Sequence, residues 1–216
     1  LTYRAAYLVE KGISPAAILL LTFTRKASQE MLRRAAQLLD ERCEKISGGT
    51  FHSFANAMLR KYASHTGLDP SFGILDRTDS EDLIGLLRKE FQPATQQRSC
   101  PIKNTLENIF SRAVNKARSL EEIIANDYPH FESHLEIISR LQKTFEIRKQ
   151  EHHILDYDDL LIYLRRLLAD YPAARDRISA GYQYFMVDEY QDTNTIQAEI
   201  LYLLTQMNRN IMVVGD

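Results

Sequence analysis

Two acidic side chains stand together at Asp188-Glu189, directly after the apolar run Tyr184-Phe185-Met186-Val187. A hydrophobic strand ending this way delivers both carboxylates at its C-terminal end, where open α/β sheets bind ligands. In nucleotide hydrolysis the first carboxylate of such a pair, here Asp188, serves Mg²⁺, usually through water, because Mg²⁺ is a hard ion that keeps part of its hydration shell. The second, Glu189, orients or deprotonates the attacking water. A solvated strand end would look the same at these two positions alone. Gln191-Asp192-Thr193-Asn194 and Gln197 then follow, a richer polar set than a turn requires. One of Asp192, Thr193 and Asn194 suffices to cap a helix starting near Thr195.

A second group, Thr22-Phe23-Thr24-Arg25-Lys26, places hydroxyls, an aromatic ring and two cations in sequence. Hydroxyls and backbone amides bind phosphate oxygens, and Phe23 can stack a base. Gly49-Thr50-Phe51-His52-Ser53-Phe54, followed by Arg60 and Lys61, offers similar chemistry. Core aromatics beside a charged edge are the plain alternative for both.

These groups need elements to hold them. Ile18 to Thr24 is an apolar run of strand length and reads as a strand buried on both faces. Thr2 to Lys11 reads as a helix stopped by Gly12, and Lys26 to Arg42 as an amphipathic helix through Met31, Ala35, Leu38 and Leu39. Tyr184–Val187 and Ile211–Val214 read as further strands around an amphipathic helix at Thr195–Met207, and a shorter strand precedes Gly49. The rhythm is that of a parallel α/β sheet. From Asp76 to Asp170 the patterns are helical only: Asp79–Phe91, Ile102–Arg118, Leu120–Asn126, Ser133–His152 and Tyr157–Leu168. Asp79 or Ser80, and Ser119, are the expected N-caps, and Pro93, Pro101, Pro129 and Pro172 punctuate the segment. The expected organisation is therefore an α/β domain in two pieces, 1–75 and 171–216, interrupted by an inserted helical block, 76–170. The chain is mostly helical overall.

Composition sets the outer limits. The 216 residues carry 27 Lys+Arg and 29 Asp+Glu, and 44% are apolar, which suits a core of ordinary size and excludes collagen-like or disordered acidic chains. Two cysteines, Cys43 and Cys100, exclude a disulfide framework and suit a reducing compartment such as the cytoplasm. No apolar run reaches the roughly 18 residues of a membrane span, so no membrane partner is expected. Residues 1–75 hold 10 Lys+Arg against 6 Asp+Glu, so the near-neutral total covers a basic first third. His130 and His134, four apart, are the one tempting zinc pair; their flank reads as a solvated helix start. Asp156, Asp158 and Asp159 read as the acidic first turn of a helix, or as a contact site. The chain opens at Leu1 and ends on Ile211-Met212-Val213-Val214-Gly215-Asp216, and is expected to be a piece of something longer.

Taken together, the motifs resemble the UvrD/Rep-like superfamily 1 DNA helicases. Thr22 to Met31 is similar to their motif Ia, Gly49 to Phe54 to motif Ib, and Asp188-Glu189-Tyr190-Gln191-Asp192-Thr193-Asn194 to motif II. Val213-Val214-Gly215-Asp216 is similar to the opening of motif III, and Asp156 to Leu161 to a segment preceding motif II. Motif II is the most specific, and the likeness covers essentially the whole chain. Two departures stand at Arg25, where the family usually has Asn, and Ser28, where it usually has Ala.

The resemblance implies a RecA-like P-loop NTPase sheet with an inserted helical 1B-like subdomain. It implies ATP and Mg²⁺ as cofactors, with Asp188 serving Mg²⁺, Glu189 activating water, and Gln191 and Asp192 beside the nucleotide. It implies single-stranded and duplex DNA as partners, with Thr22, Phe23, Thr24, Arg25, Lys26, Thr50 and His52 along the strand. The parent would be an ATP-dependent DNA helicase translocating 3′ to 5′, in repair or a related pathway. No Gly-x-x-x-x-Gly-Lys-Ser/Thr occurs in the chain, so this piece, expected as a monomer, is expected to be inactive by itself. The alternative is a non-catalytic single-strand-binding or regulatory module that retains the fold; the residues upstream of Leu1 distinguish the two.

Overall fold

The computed structural model describes residues 1–91 and 100–216. Pro93, read above as punctuation, lies outside them. The described residues hold six strands, β1 (Ile18–Thr22), β2 (Ser47–Thr50), β3 (Gly73–Ile74), β4 (Ile154–Leu155), β5 (Tyr184–Val187) and β6 (Ile211–Val213). The helices run in the order α1 (Thr2–Glu10), α2 (Arg25–Leu38), α3 (Phe51–Lys61), α4 (Ala63–Thr66), α5 (Arg77–Phe91) and α6 (Lys103–Asn115). They continue as α7 (Leu120–Asp127), α8 (Leu135–Glu151), α9 (Tyr157–Asp170), α10 (Pro172–Ala180) and α11 (Thr195–Thr205). The chain forms two compact units, one of Leu1–Gly67 with Leu161–Asp216 and one of Leu68–Leu160.

The first unit is built on a four-stranded parallel sheet in the order β2-β1-β5-β6. All five residues of β1 are buried, as its unbroken apolar sequence requires of a central parallel strand. It stops at Thr22, not Thr24, because the Thr24 hydroxyl accepts from the Ala27 N–H at 3.1 Å and so becomes the N-cap of α2. Helix α2 likewise ends at Leu38, short of Arg42, where the Asp40 carboxylate takes the Arg42 N–H at 2.9 Å and starts a 3₁₀ turn. Ala5, Leu8 and Val9 of α1 share a core with Ile18, Leu20, Ala35, Ile46 and Met186. Strand β6 lies at the sheet edge with Ile211, Met212 and Val213 all exposed.

Three helices of this unit go beyond the sequence reading. In α3, Phe51, Phe54, Ala55 and Leu59 are buried at helical spacing, and Thr50 caps the start by accepting from Ser53 N–H at 3.2 Å. The single turn α4 follows it and closes on Gly67 in the left-handed region. Helix α10 begins at Pro172, which acts as a starter and not a break: its missing N–H falls where the helix has no acceptor to offer.

The second unit gathers Ile84, Leu106, Ile109, Ile123, Ile138, Leu141 and Phe145 from α5 to α8 into one core. Ser119 caps α7 in a reciprocal box with Glu122. Helix α5 starts two residues earlier than expected. Its cap is neither Asp79 nor Ser80: Asp76 accepts from the Asp79 N–H at 2.9 Å, and the Asp79 carboxylate returns to the Asp76 N–H at 3.3 Å. The unit is not wholly helical. Strands β3 and β4 pair in parallel through Gly73↔Ile154 and Ile74↔Leu155. Two-residue strands are too short to show alternation, and Gly73 is needed because a Cβ there would lie 2.9 Å from Ile154 Cγ2.

Candidate nucleotide and nucleic-acid edge

In a parallel sheet every C-terminal strand end opens on the same edge. The register sets Thr22 level with Thr50, Leu21 level with Val187, and Val187 level with Val213. Phe23-Thr24-Arg25-Lys26, Phe51-His52, Asp188-Glu189 and Gly215-Asp216 therefore all leave from one edge. Residues scattered from 22 to 216 become neighbours in the fold through strand order alone.

The carboxylate pair is held firmly at the backbone. Asp188 N–H donates to Leu21 O at 3.0 Å, and Tyr190 N–H donates to Val214 O at 2.9 Å, so the turn after β5 is tied to strands on both sides. Between these anchors Glu189 sits in the left-handed region, φ 52°, ψ 48°. A non-glycine residue there costs about 1 kcal/mol and is retained only where the surroundings over-determine it. Burial raises the Asp188 carboxyl pKa and the neighbouring Glu189 charge raises it further, while the Glu189 N–H pulls the other way.

The polar residues after the pair divide into two sets. Asn194 caps α11 in a reciprocal box with Gln197: Gln197 N–H reaches Asn194 Oδ1 at 2.8 Å, and Gln197 Oε1 takes the Asn194 N–H at 3.2 Å. Thr193 donates to Tyr190 O at 2.7 Å. These three residues shape the exit into α11. Gln191 and Asp192 are exposed, and Gln191 Nε2 donates to Glu189 Oε2 at 2.6 Å.

On the other half of the edge, Phe23 is 62% exposed, and Thr24, Arg25 and Lys26 are exposed beside it. Thr22 differs from its neighbours: it is fully buried, and its hydroxyl donates to Thr24 O at 2.8 Å, so it supports the turn. The Thr50 hydroxyl lies 2.9 Å from Ser53 Oγ. Burial lowers the His52 pKa, which favours the neutral hydrogen-bonding ring over the cation.

Other candidates belong to the second unit. His130 and His134 fall in a 3₁₀ turn, where positions four apart do not share a face, and His130 packs on Phe131 with ring centroids 4.1 Å apart. Asp156 and Asp159 belong to the second unit, where they cap α9 reciprocally and flank Lys149. Among the described residues, Glu146, Asp156 and Asp159 are the only acidic trio spaced for a metal, and the Lys149 ammonium already lies within 3.0 Å of all three. Sequence reading had no signal for Lys149.

The whole chain, residues 1–216, matches the model of the UvrD/REP helicase N-terminal domain. This chain belongs to that family. It is 33% identical over its full length to the ATP-dependent DNA helicase PcrA of Staphylococcus epidermidis and 32% identical to that of Staphylococcus aureus. The chain spans 29% of the length of each of these relatives. The parallel sheet with its helical companion unit is accordingly a RecA-like fold carrying a helical insertion. No described helix is long and apolar enough to cross a membrane.

Proposed function

We propose that this chain is the first ATPase domain, with its inserted 1B-like helical subdomain, of an ATP-dependent helicase that translocates 3′ to 5′ on single-stranded DNA and unwinds duplex. The observation that carries the reading is the convergence of Asp188-Glu189 and the turns after β1 and β2 on one sheet edge. The two PcrA relatives, named as ATP-dependent DNA helicases, support the same reading. A cytoplasmic location with chromosomal DNA, and a role in repair, accompany it.

The donor set suits Mg²⁺. Asp188 and Glu189 are hard oxygen donors, and a cation offsets both the burial and the Glu189 charge that raise the Asp188 pKa. When bound with ATP, the ion neutralises charge on the phosphate oxygens. Asp188 would hold it. Glu189 orients the attacking water and accepts its proton. Gln191 and Asp192 line the nucleotide side. The N-terminal end of α1 favours phosphate charge nearby. Phe23 stacks a base, Arg25 and Lys26 attract phosphates, and Thr24, Thr50 and His52 contact the strand backbone.

In the full-length parent, Asp188→Asn and Glu189→Gln should each lower DNA-stimulated ATP turnover by roughly 100- to 10,000-fold, to a residual rate that can still be measured, while single-strand binding persists. Wild-type turnover in either variant would refute the assigned roles. The chain alone, lacking the Gly-Lys-Ser/Thr loop, should show negligible turnover.

A further inference from the structure

The structure assigns to Gln191 a positioning role: its amide spans from the Glu189 carboxylate to the turn after β6, and Gly215 is glycine to leave it room. The inference rests on the proposed ATPase reading and deepens it.

The side-chain amide works at both ends. Gln191 Nε2 donates to Glu189 Oε2 at 2.6 Å, and Gln191 Oε1 accepts from the Asp216 N–H at 3.3 Å. The first contact sets a donor against a carboxylate, the stronger kind of hydrogen bond. Glu189 needs such a partner. Its left-handed backbone directs the chain sharply, while its exposed side chain has rotamers to spare, and an activating base must be held to a narrow orientation.

Gly215 makes the arrangement possible. A Cβ on Gly215 would overlap Gln191 Oε1, and it would also stand 3.1 Å from Tyr190 N and 3.2 Å from Gln191 N. The Gly215 φ is not in the left-handed region, so conformational freedom is not the reason for glycine here. Space beside the Tyr190 and Gln191 backbone nitrogens and the Gln191 amide is. The turns after β5 and β6 are further joined by Tyr190 N–H to Val214 O and Val214 N–H to Val187 O, both at 2.9 Å. A shift of the β6 turn therefore reaches Glu189 through one amide group. Gln191 touches no reacting atom in this scheme; it acts through Glu189.

The test uses the full-length helicase with Gln191→Leu, Gly215→Ala, Glu189→Gln and the Gln191→Leu/Glu189→Gln double variant. Gln191→Leu should lower DNA-stimulated kcat about 10- to 100-fold, the scale of a misplaced catalytic group. The Kd for single-stranded DNA should stay within about twofold. Gly215→Ala should lower kcat similarly. On the Glu189→Gln background, Gln191→Leu should cost less than about twofold more, because no carboxylate remains to position. Gln191→Glu, an isosteric change at an exposed site, should also lose turnover and guards against a folding defect in Gly215→Ala. Wild-type kcat in both Gln191 variants, or a full additional loss on the Glu189→Gln background, would overturn the positioning role while leaving the ATPase reading intact. Wild-type turnover in Glu189→Gln itself would overturn both.

Discussion

The Lys149 ammonium on α8 lies 2.7 Å from the Asp159 carboxylate on α9, and also 2.6 Å from Asp156 and 3.0 Å from Glu146. Lys149 is 2% exposed, so one desolvated cation joins the end of α8 to the start of α9 around the β4 strand between them. Lys149→Met would leave three carboxylates facing one another. Removing one partner of a buried ion pair costs about 3–5 kcal/mol. The expected outcome is a loss of that size in chemical denaturation of the chain, partly recovered by adding Asp159→Asn. A loss below about 1 kcal/mol would show the cluster to be solvated in solution.

Asp158, beside this cluster, predicts a pH dependence. Burial raises its carboxyl pKa; hydrogen bonds from Ser111 and Asn115 and the Lys149 charge oppose this, and Asp156 adds to it. A carboxyl raised in the folded state contributes stability below its ordinary pKa, and loses that contribution as pH rises through the folded value. At pH 7 the charged Asp158 is therefore a burden. Asp158→Asn should raise the thermal midpoint at pH 7, and the advantage should shrink as pH falls toward the ordinary carboxylate range, where the native residue takes up its proton. Thermal scans of both proteins across that window check the sign. The Lys149 pKa is raised, so its own contribution persists through neutral pH and fades only in strong alkali.

Gly48 supplies a packing prediction. A Cβ there would lie 2.9 Å from both Leu32 Cδ1 and Ser28 Oγ, so α2 rests against the bare backbone of β2. Gly48→Ala should cost about 1–3 kcal/mol by overpacking. Because α2 carries Arg25 and Lys26 at its start, the same substitution should also weaken single-strand binding in the full-length protein. Unchanged stability, measured by urea denaturation, would place α2 farther from β2 than the distances show.

The proposed DNA edge separates stacking from charge. In the full-length protein, Phe23→Ala should weaken single-strand binding by about 1–3 kcal/mol with little change in salt dependence. The Arg25→Ala/Lys26→Ala pair should instead flatten the slope of log K against log salt, by about 0.7 for each phosphate that is no longer neutralised. Fluorescence titrations at several salt concentrations distinguish the two, and a charge-like response from Phe23→Ala would move the strand elsewhere on the edge.

Local sequence determined much of this protein. The buried strand β1, the carboxylates ending β5, the amphipathic α2 and α11 and the helix-rich middle all follow from periodicity and from apolar runs bounded by polar residues, which act over a few positions at a time. The family's motifs were legible for the same reason: each lies within about ten consecutive residues. Tertiary structure decided what distance along the chain conceals. Strand order placed Phe23, Thr50 and Asp188 on one edge, because parallel strands pair through long crossovers that no local pattern encodes. Caps went to Thr24, Thr50, Asp76 and Asn194 according to which hydroxyl, carboxylate or amide could reach an unpaired backbone N–H. The burial of Lys149, and the space at Gly215 filled by Gln191, depend on atoms brought together only by packing. Those contacts arise after the chain has folded, so they can be read only from the folded form.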